Sequence, residues 1–388
     1  MSTIPYGRQD INQADIDAVV TVLRSDFLTQ GPVVPAFERA VAEYCGAQHA
    51  VAVNSATSAL HIACLALGVG KGHSVWTTPI TFVASANCAL YCGATVDFVD
   101  IDPLTYNMSV ARLAEKLTMA DRAGKLPKVV IPVHMCGQSC EMAEIHELSL
   151  QYGFKIIEDA SHAIGGIYKD EPIGNCRYSD ITVFSFHPVK VITTGEGGMA
   201  ATNDAQLAKH LRLLRSHGIS SSAADMHARP THEIWNYQQI DLGMNYRMTD
   251  VHAALGLSQM TRIDEFVAKR HQIANRYDEA FAKLPVITPW QIADAWSSYH
   301  LYPIRVRQAD CGKTQREVYD AFMTAGFNVN LHYIPVYRQP YYEAMGFKAG
   351  YCPQAEFYHK ETLSLPMFAS LTSQDQEAAI ATLMQALA

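Results

Sequence analysis

The sequence predicts an α/β protein in which a mainly parallel β-sheet lies between helices, followed by a smaller α+β domain. Short apolar runs alternate with helical patterns over the first three-fifths of the 388 residues. This alternation is typical of parallel strands that are joined by helical crossovers. Beyond Leu284 strands and helices are mixed, which favours a second and smaller domain.

The first strands and helices follow one another in a regular order. A short apolar run predicts a buried strand, and apolar residues at helical spacing predict the helix after it. Strands are expected over 50–53, 74–78, 95–99, 129–133, 155–158 and 181–186, and helices over 55–67, 82–91 and 110–117. Polar residues fall at or just after the strand ends, where such sheets collect ligands: Asn54, Thr78, His134, Asp159 and Ser185.

A long helical pattern begins near Thr249 and predicts the connection to the second domain. Its apolar residues keep to one helical face, from Ile263 to Phe281. Further on we expect a strand over 301–306, a helix over 316–325, a strand near 329–334 and a terminal helix over 373–387. We therefore expect a large domain over 1–250, with an N-terminal segment that contacts the substrate, and a small domain over 251–388 that begins with the connecting helix.

Composition and charge narrow the functional classes. Hydrophobic residues make up 49% of the chain and charged residues 18%, which excludes a disordered protein. The net charge of −8 argues against nucleic acid as the main partner. No apolar stretch is long enough to span a bilayer and no signal peptide is visible, so we expect a cytoplasmic protein without a membrane partner.

The cysteines and histidines predict no metal centre. The nine cysteines are an odd number, and several lie in apolar segments, as reduced core thiols do in a cytosolic protein. His134, Cys136 and Cys140 lie close together in the chain. No second Cys/His pair stands at the spacing of a zinc site, so we expect none.

Lys190 is the most informative single residue. An apolar strand leads to it, a loop rich in Thr and Gly follows it, and Asp159 ends the strand before. A lysine near apolar walls loses proton affinity and becomes an amine nucleophile. An acid at a neighbouring strand end can hold a pyridinium nitrogen protonated, and the two groups together suit pyridoxal phosphate chemistry. For a lysine taken alone, an exposed position is the ordinary alternative.

Other segments allow both a functional and a structural interpretation. The small residues Ser55, Ala56 and Thr57 begin a helix and can bind a phosphate, or Ser55 can serve as an ordinary N-cap. Phe82 can lie on a cofactor ring or pack in the core, and His162 can cover the other side of the ring or be structural. We interpret 193–198 as a tight loop that fixes Lys190, because it lacks the spacing of a P-loop.

A polar segment before the connecting helix is a further candidate. Asn245 and Arg247 can contact a phosphate or a substrate, across a subunit boundary if the protein is an oligomer. The alternative is a polar turn with a structural ion pair.

Together these segments closely resemble the fold type I, DegT/DnrJ-like, sugar-nucleotide aminotransferases, from Tyr6 to the last helix. The resemblance implies a pyridoxal 5′-phosphate-dependent transferase fold with a seven-stranded sheet, and a homodimer with shared active sites. It implies that Lys190 binds the cofactor covalently and that Asp159 pairs with the ring nitrogen. The other implied cofactor contacts are Ser55, Ala56, Thr57, Phe82, His162, Ser185 and, from the partner subunit, Asn245.

One branch of this family resembles the chain most, the 4-aminotransferases of pseudaminic acid and surface glycan synthesis. The similar segments are 5–9, 22–32, 185–198, 330–337 and 339–342, although Val191 stands where this branch is expected to have Pro. The implied substrates are L-glutamate and a UDP-linked 4-keto-6-deoxy sugar. The implied substrate contacts are Tyr6, Leu28, Thr29, Gln30, His187, Asn245, Arg247, Asn330, Leu331, His332 and Tyr333. The alternative for each of these contacts is a loop residue packed at the domain edge.

Three alternatives to this activity remain. The sugar can be another UDP- or dTDP-linked 4-ketosugar, of the bacillosamine or perosamine type. A sugar dehydratase of the same fold is a second alternative, although such relatives carry His in place of the lysine. A regulator without enzymatic activity is the third.

Overall fold

A computed structural model of the chain describes residues 3–227 and 235–388. Several strands in the described part of the chain are only two residues long. They are β1 (Ile4–Pro5), β2 (His49–Val53), β3 (Ser74–Thr77), β4 (Thr95–Phe98), β5 (Val129–Ile131), β6 (Lys155–Asp159), β7 (Ile167–Tyr168), β8 (Glu171–Pro172), β9 (Ile181–Ser185), β10 (Gly198–Thr202), β11 (Ile219–Ser220), β12 (Gln238–Gln239), β13 (Val286–Ile287), β14 (Ala295–Trp296), β15 (Tyr302–Val306), β16 (Phe327–Asn328) and β17 (Thr362–Leu365).

The helices of the described residues cover the sheets and join the strands. They are α1 (Gln13–Leu23), α2 (Val33–Cys45), α3 (Ala56–Ala66), α4 (Ala84–Tyr91), α5 (Val110–Arg122), α6 (Met142–Tyr152), α7 (Ala205–Arg215), α8 (Asp250–Met260), α9 (Ile263–Phe281), α10 (Gln308–Cys311), α11 (Gln315–Thr324), α12 (Pro340–Glu343), α13 (Pro353–Glu361) and α14 (Ser373–Leu387). None of the helices in the described part of the chain has both the length and the apolar character that crossing a bilayer requires.

The central sheet has seven strands in the order β2–β10–β9–β6–β5–β3–β4. All neighbours are parallel except β10, which runs antiparallel to both β2 and β9. The predicted mainly parallel α/β sheet between helices is therefore confirmed. Because β6 and β9 are parallel neighbours, Asp159 and Ser185 come to the same edge of the sheet.

Alternation of side chains along the strands divides the core between the two faces of the sheet. Val129 and Ile131 pack in one hydrophobic cluster, and Val130 between them packs in the other. Both faces are covered by helices, so all five residues of β9 and of β10 are buried. Such strands read as continuous apolar runs in the sequence. This pattern located β9, whereas β10 was not expected.

A third hydrophobic cluster lies in the C-terminal part of the chain. It joins α9, β15, α11, β17 and α14 through residues such as Tyr277, Tyr302 and Leu383. β13, β15 and β17 form a small antiparallel sheet within it. The boundary between the two domains near residue 250 stays a prediction.

Two expectations for the C-terminal part require correction. The strand predicted near 329–334 is wrong, because β16 ends at Asn328 and the following residues form no strand. Val329, Leu331 and Tyr333 alternate with polar residues as in a strand, but the segment forms only an isolated bridge between Asn330 and Ser364. The helical pattern after Thr249 is two helices, α8 and α9, interrupted at Thr261 and Arg262.

The break between α8 and α9 anchors the N-terminal segment. Arg262 binds Asp15 in α1 at 2.6 Å and Asp10 at 3.1 Å. Gln259 donates to the same Asp15 carboxylate at 2.7 Å. Because Asp15 is almost completely buried, these partners compensate its charge and hold α1 against α8.

Gly198 allows the start of β10 to approach the start of α3 very closely. A Cβ atom at position 198 would lie 2.5 Å from the backbone nitrogen of Ala56 and 2.5 Å from the carbonyl carbon of Ser55. Backbone atoms cannot move aside as a flexible side chain can. We predict that Gly198→Ala lowers the free energy of unfolding by about 1–3 kcal/mol, as overpacking does.

Urea denaturation measures this prediction, with Gly70→Ala as the matched control. A Cβ at Gly70 would meet only the Cys92 carbonyl oxygen, at 4.0 Å, so this control should unfold like the unaltered protein. Equal midpoints for the two variants would contradict the prediction.

Candidate active site

A cavity of about 730 Å³ opens at the carboxyl ends of β6 and β9. The lining comes from Tyr6, the ends of central strands, the first helices, the loop after β9 and three residues of the C-terminal part, Asn330, His332 and Tyr333. Most of the sequence-predicted site residues meet here: Tyr6, Ser55, Ala56, Thr57, Phe82, Asp159, His162, Ser185, His187, Lys190, Asn330, His332 and Tyr333.

The remaining predicted residues do not line this cavity in the single chain. Thr29 forms a bridge with Thr249, and Leu28 and Gln30 beside it are exposed. Arg247 pairs with Val53 at the backbone and Asn245 with Ser216. Leu331 instead packs against the C-terminal hydrophobic cluster. The proposed contacts of these six residues stay predictions.

The loop after β9 holds Lys190 through backbone hydrogen bonds. The Lys190 N–H donates to the His187 carbonyl at 2.9 Å. Farther along, the Thr193 hydroxyl and the Thr194 N–H both donate to the Phe186 carbonyl, each at 3.0 Å. These bonds close the loop back onto the end of the strand, so the lysine side chain starts from a defined position.

Burial lowers the pKa of Lys190 to about 8, although the Asp159 carboxylate acts in the opposite direction. Desolvation disfavours the ammonium form, and the nearby negative charge offsets only part of that effect. A sizeable fraction of the amine is therefore neutral near physiological pH, as a nucleophile or general base requires.

Asp159 is held by hydroxyl groups that the sequence did not reveal. Its Oδ1 accepts from the Ser161 hydroxyl at 2.5 Å and from the Ser161 N–H at 3.1 Å. Its Oδ2 accepts from the Ser85 hydroxyl at 2.6 Å. Ser161 was recognisable as a neighbour in an Asp-x-Ser turn, whereas Ser85 is 74 residues away in the chain and carried no signal.

A cluster of neutral histidines forms one wall of the cavity. The pKa of His162 lies well below its ordinary value because the ring is buried and close to Lys190 and His332. Its Nε2 lies 3.3 Å from the Tyr333 hydroxyl, and within the described residues its buried Nδ1 has no hydrogen-bond partner. A neutral imidazole with a free ring nitrogen can still bind a ligand atom.

His300 supports His162 from behind and was missed by the sequence reasoning. The two rings lie 4.3 Å apart between centroids. Arg270 donates to the carbonyls of Tyr299 and His300 at 3.1 and 3.2 Å, which fixes the segment that carries the second ring. The sequence contains no periodic or motif signal for this contact.

The start of α3 presents backbone N–H groups to the cavity. Ser55 is the N-cap, since its hydroxyl accepts from the Ser58 N–H at 3.1 Å. The N-cap interpretation is therefore correct for the Ser55 side chain. Ala56 and Thr57 also line the cavity, at the end of the helix where the backbone attracts an anion.

Aromatic side chains form the mouth and the far wall of the cavity. Phe82 is 59% exposed, and its ring lies 6.5 Å from that of Tyr333. Tyr6 packs edge-on against His332 at 4.8 Å, and the His332–Tyr333 peptide bond is cis. The exposed face of Phe82 is thus available to a planar ligand.

His134 and the cysteines near it have a structural role in the core. His134 Nε2 contacts Glu158 at 2.8 Å, and its Nδ1 accepts from the Cys140 N–H at 3.1 Å. Both ring nitrogens therefore have protein partners. In residues 3–227 and 235–388, no group of three or more His, Cys, Asp or Glu side chains is arranged to hold a metal ion.

Comparison with known proteins identifies related chains over nearly the full length. Residues 9–384 match the model of the DegT/DnrJ/EryC1/StrS aminotransferase family. The Bacillus subtilis spore coat polysaccharide biosynthesis protein SpsC is 39% identical, over 96% of this chain and 94% of its own. A Campylobacter jejuni UDP-4-amino-4,6-dideoxy-N-acetyl-beta-L-altrosamine transaminase is also 39% identical, with the same coverage.

Solved structures extend the similarity to the fold. Helicobacter pylori PseC, an aminotransferase of pseudaminic acid biosynthesis, superposes with a TM-score of 0.91 at 29% identity, over 100% of this chain and 99% of its own. The sugar aminotransferase Spr1654 from Streptococcus pneumoniae, in its PLP form, has a TM-score of 0.88 at 29% identity, over 99% of this chain and 98% of its own.

The lowered pKa of Lys190 leads to a test on the protein without cofactor. We predict that trinitrobenzenesulfonate modifies this amine with a pH midpoint near 8, whereas ordinary lysines follow a midpoint near 10.4. Asp159→Asn should move the Lys190 midpoint to lower pH, because the carboxylate charge raises that pKa. Peptide mass spectrometry after timed labelling measures both midpoints, and an unaltered midpoint in the Asp159→Asn variant would contradict the assignment.

Proposed function

The chain belongs to the DegT/DnrJ/EryC1/StrS aminotransferase family, and on this premise we propose that it transfers an amino group to a nucleotide sugar. The proposed donor is L-glutamate, and the proposed acceptor is the 4-keto carbon of a UDP-2-acetamido-2,6-dideoxy-hexos-4-ulose. The observation that carries the proposal is one cavity containing Lys190, with its lowered pKa, beside Asp159.

The relatives support a particular sugar as the substrate of this reaction. The transaminase from Campylobacter jejuni and PseC support a 4-amino sugar of the pseudaminic acid type. The spore coat relative is equally identical to this chain, so another 4-ketosugar for a surface polysaccharide is the second candidate. Lys190 opposes the sugar dehydratase alternative, in which His is expected at this position.

The cavity suits pyridoxal phosphate, the cofactor of this family, which the PLP form of Spr1654 contains. The amine of Lys190 can bond to its aldehyde and the Asp159 carboxylate can accept from its ring nitrogen. The exposed face of Phe82 and the free His162 nitrogen are suited to the ring. The amides at the start of α3 and the Ser185 hydroxyl are suited to the phosphate.

The proposed mechanism assigns proton transfer to Lys190. When bound, the cofactor supplies an electron sink for the charge that develops as a substrate carbon loses its proton. The neutral Lys190 Nζ accepts the proton from the α-carbon of glutamate. In the second half of the reaction the same atom returns a proton to C4 of the sugar. Burial lowers the pKa of His162, His187 and His332 below the ordinary histidine value, so Lys190 is a stronger base than these three rings of the cavity.

We propose that the protein is a homodimer in which each subunit completes the other's site. Leu28, Thr29, Gln30 and Asn245 are exposed in the single chain and lie outside its cavity. Phe27 beside them is 54% exposed, which suits a contact with a second copy. In a dimer, these residues and Arg247 would contact the sugar nucleotide or the phosphate in the partner's cavity.

Replacement of Lys190 tests the reaction itself. We expect Lys190→Ala to lose the visible absorbance of the bound cofactor and to reduce amino transfer by at least ~10³-fold, because the proton acceptor is gone. Lys71→Ala, at an exposed lysine, is the matched control and should keep both properties. Retained transfer by the Lys190 variant would refute the mechanism.

A panel of sugar nucleotides tests the substrate. UDP- and dTDP-linked 4-ketosugars are incubated with glutamate, and the products are identified by mass spectrometry and NMR. We expect the UDP-2-acetamido-2,6-dideoxy-hexos-4-ulose to be converted to the 4-amino sugar with the highest kcat/KM, with formation of 2-oxoglutarate. A deoxy sugar without 2-oxoglutarate would identify a dehydratase instead.

Mixing of two inactive variants tests the shared site. Lys190→Ala lacks the amine, and a variant with both Asn245→Ala and Arg247→Ala lacks the groups proposed to act in the partner. If these residues act across the subunit boundary, refolding an equal mixture should restore about a quarter of the activity, since half of the dimers then carry one intact site. An inactive mixture that contains mixed dimers would contradict the shared site.

A further inference from the structure

Two buried hydroxyl groups form a chain that ends on Asp159. The Thr81 and Ser85 hydroxyls lie 2.8 Å apart, and Ser85 donates to Asp159 Oδ2 at 2.6 Å. Thr81 is 2% exposed, Ser85 1% and Asp159 4%. Both hydroxyls belong to the segment that begins α4 and also carries Phe82.

The number of hydroxyl protons determines the direction of these two hydrogen bonds. A serine hydroxyl has one proton, and that of Ser85 is donated to Asp159. The Thr81 hydroxyl must therefore donate to Ser85. Successive hydrogen bonds of this kind polarise one another in a buried environment, so the negative charge of the carboxylate is spread toward Thr81.

Counting lone pairs shows where Asp159 can accept another hydrogen bond. A carboxylate has about four acceptor positions, two on each oxygen. Oδ1 already accepts from the hydroxyl and the N–H of Ser161. Oδ2 accepts from Ser85 alone among the described residues. The free position is therefore on the oxygen that Ser85 also binds.

We propose that Ser85, oriented by Thr81, is a positioning residue that sets how strongly Asp159 Oδ2 accepts a hydrogen bond from the ring nitrogen of pyridoxal phosphate. This inference rests on the proposed function for the identity of the ligand. Ser85 and the ring nitrogen would both donate to Asp159 Oδ2, so the two hydrogen bonds would share the negative charge of this oxygen. Because Ser85 donates through its side chain while its N–H binds the Phe82 carbonyl at 3.2 Å, one turn positions both the stacking ring and the acid.

Removal of the hydroxyl should strengthen the acceptor. In Ser85→Ala the charge on Oδ2 is no longer shared, so protonated forms of the bound cofactor become more stable. The pH midpoint of its visible absorbance band should rise by roughly half a unit to one unit, the shift that one hydrogen bond corresponds to. Thr81→Val leaves Ser85 in place and should raise the midpoint by a smaller amount.

Four further variants make the test specific. Ser85→Thr keeps a hydroxyl and should restore the unaltered midpoint. Ser139→Ala removes an equally buried hydroxyl, which donates to the Cys140 carbonyl at 2.7 Å and has no contact with Asp159, and should leave the midpoint unchanged. Asp159→Asn removes the negative charge that Ser85 is proposed to share, so adding Ser85→Ala to it should produce no further shift.

The measurement is a spectroscopic pH titration of the holoproteins without glutamate or sugar, accompanied by cofactor binding to the apoproteins in equilibrium dialysis. An unchanged midpoint in a cofactor-loaded Ser85→Ala protein would overturn the inference, as would an equal shift in Ser139→Ala. A wrong sugar assignment leaves the titration unaffected. If the unaltered protein shows no lysine-bound band, the proposed function fails, and that result differs from an unchanged midpoint.

Discussion

The site depends on keeping one lysine amine partly neutral inside the protein. Burial lowers the pKa of Lys190, and Asp159 limits the decrease to about 8. A fully hydrated lysine would be charged and unreactive at neutral pH, while a lysine without a nearby carboxylate would lose still more proton affinity. Burial likewise lowers the pKa of His162 and His332, and the positive charge of Lys190 lowers it further.

The sheet provides the rigidity that this balance requires. Asp159 ends β6 and Ser185 ends β9, two parallel neighbours in which every residue except Lys155 is buried. The antiparallel strand β10 returns the chain beside them, and Gly198 lets it touch the start of α3. In this way adjacent backbone segments hold the Asp159 carboxylate, the loop that carries Lys190 and the start of α3, which is proposed to bind the phosphate.

The acidic side of the site illustrates how a short motif is completed by distant residues. Ser161 supports one carboxylate oxygen from the same turn, and Ser85 supports the other from α4. The proposed substrate side is assembled differently, from Tyr6 near one end of the chain and from Asn330, His332 and Tyr333 near the other.

The sequence by itself determined the α/β class, most strand positions of the central sheet and the presence of Lys190 and Asp159 at one site. Buried parallel strands are continuous apolar runs, and the ligand edge of such a sheet follows from strand direction alone. Only the tertiary structure revealed Ser85, His300 and the antiparallel course of β10, because each depends on contacts between residues far apart in the chain. The strand wrongly expected near 329–334 has the same origin. Alternating apolar residues are compatible with a strand, but only the packed neighbours decide whether the backbone joins a sheet.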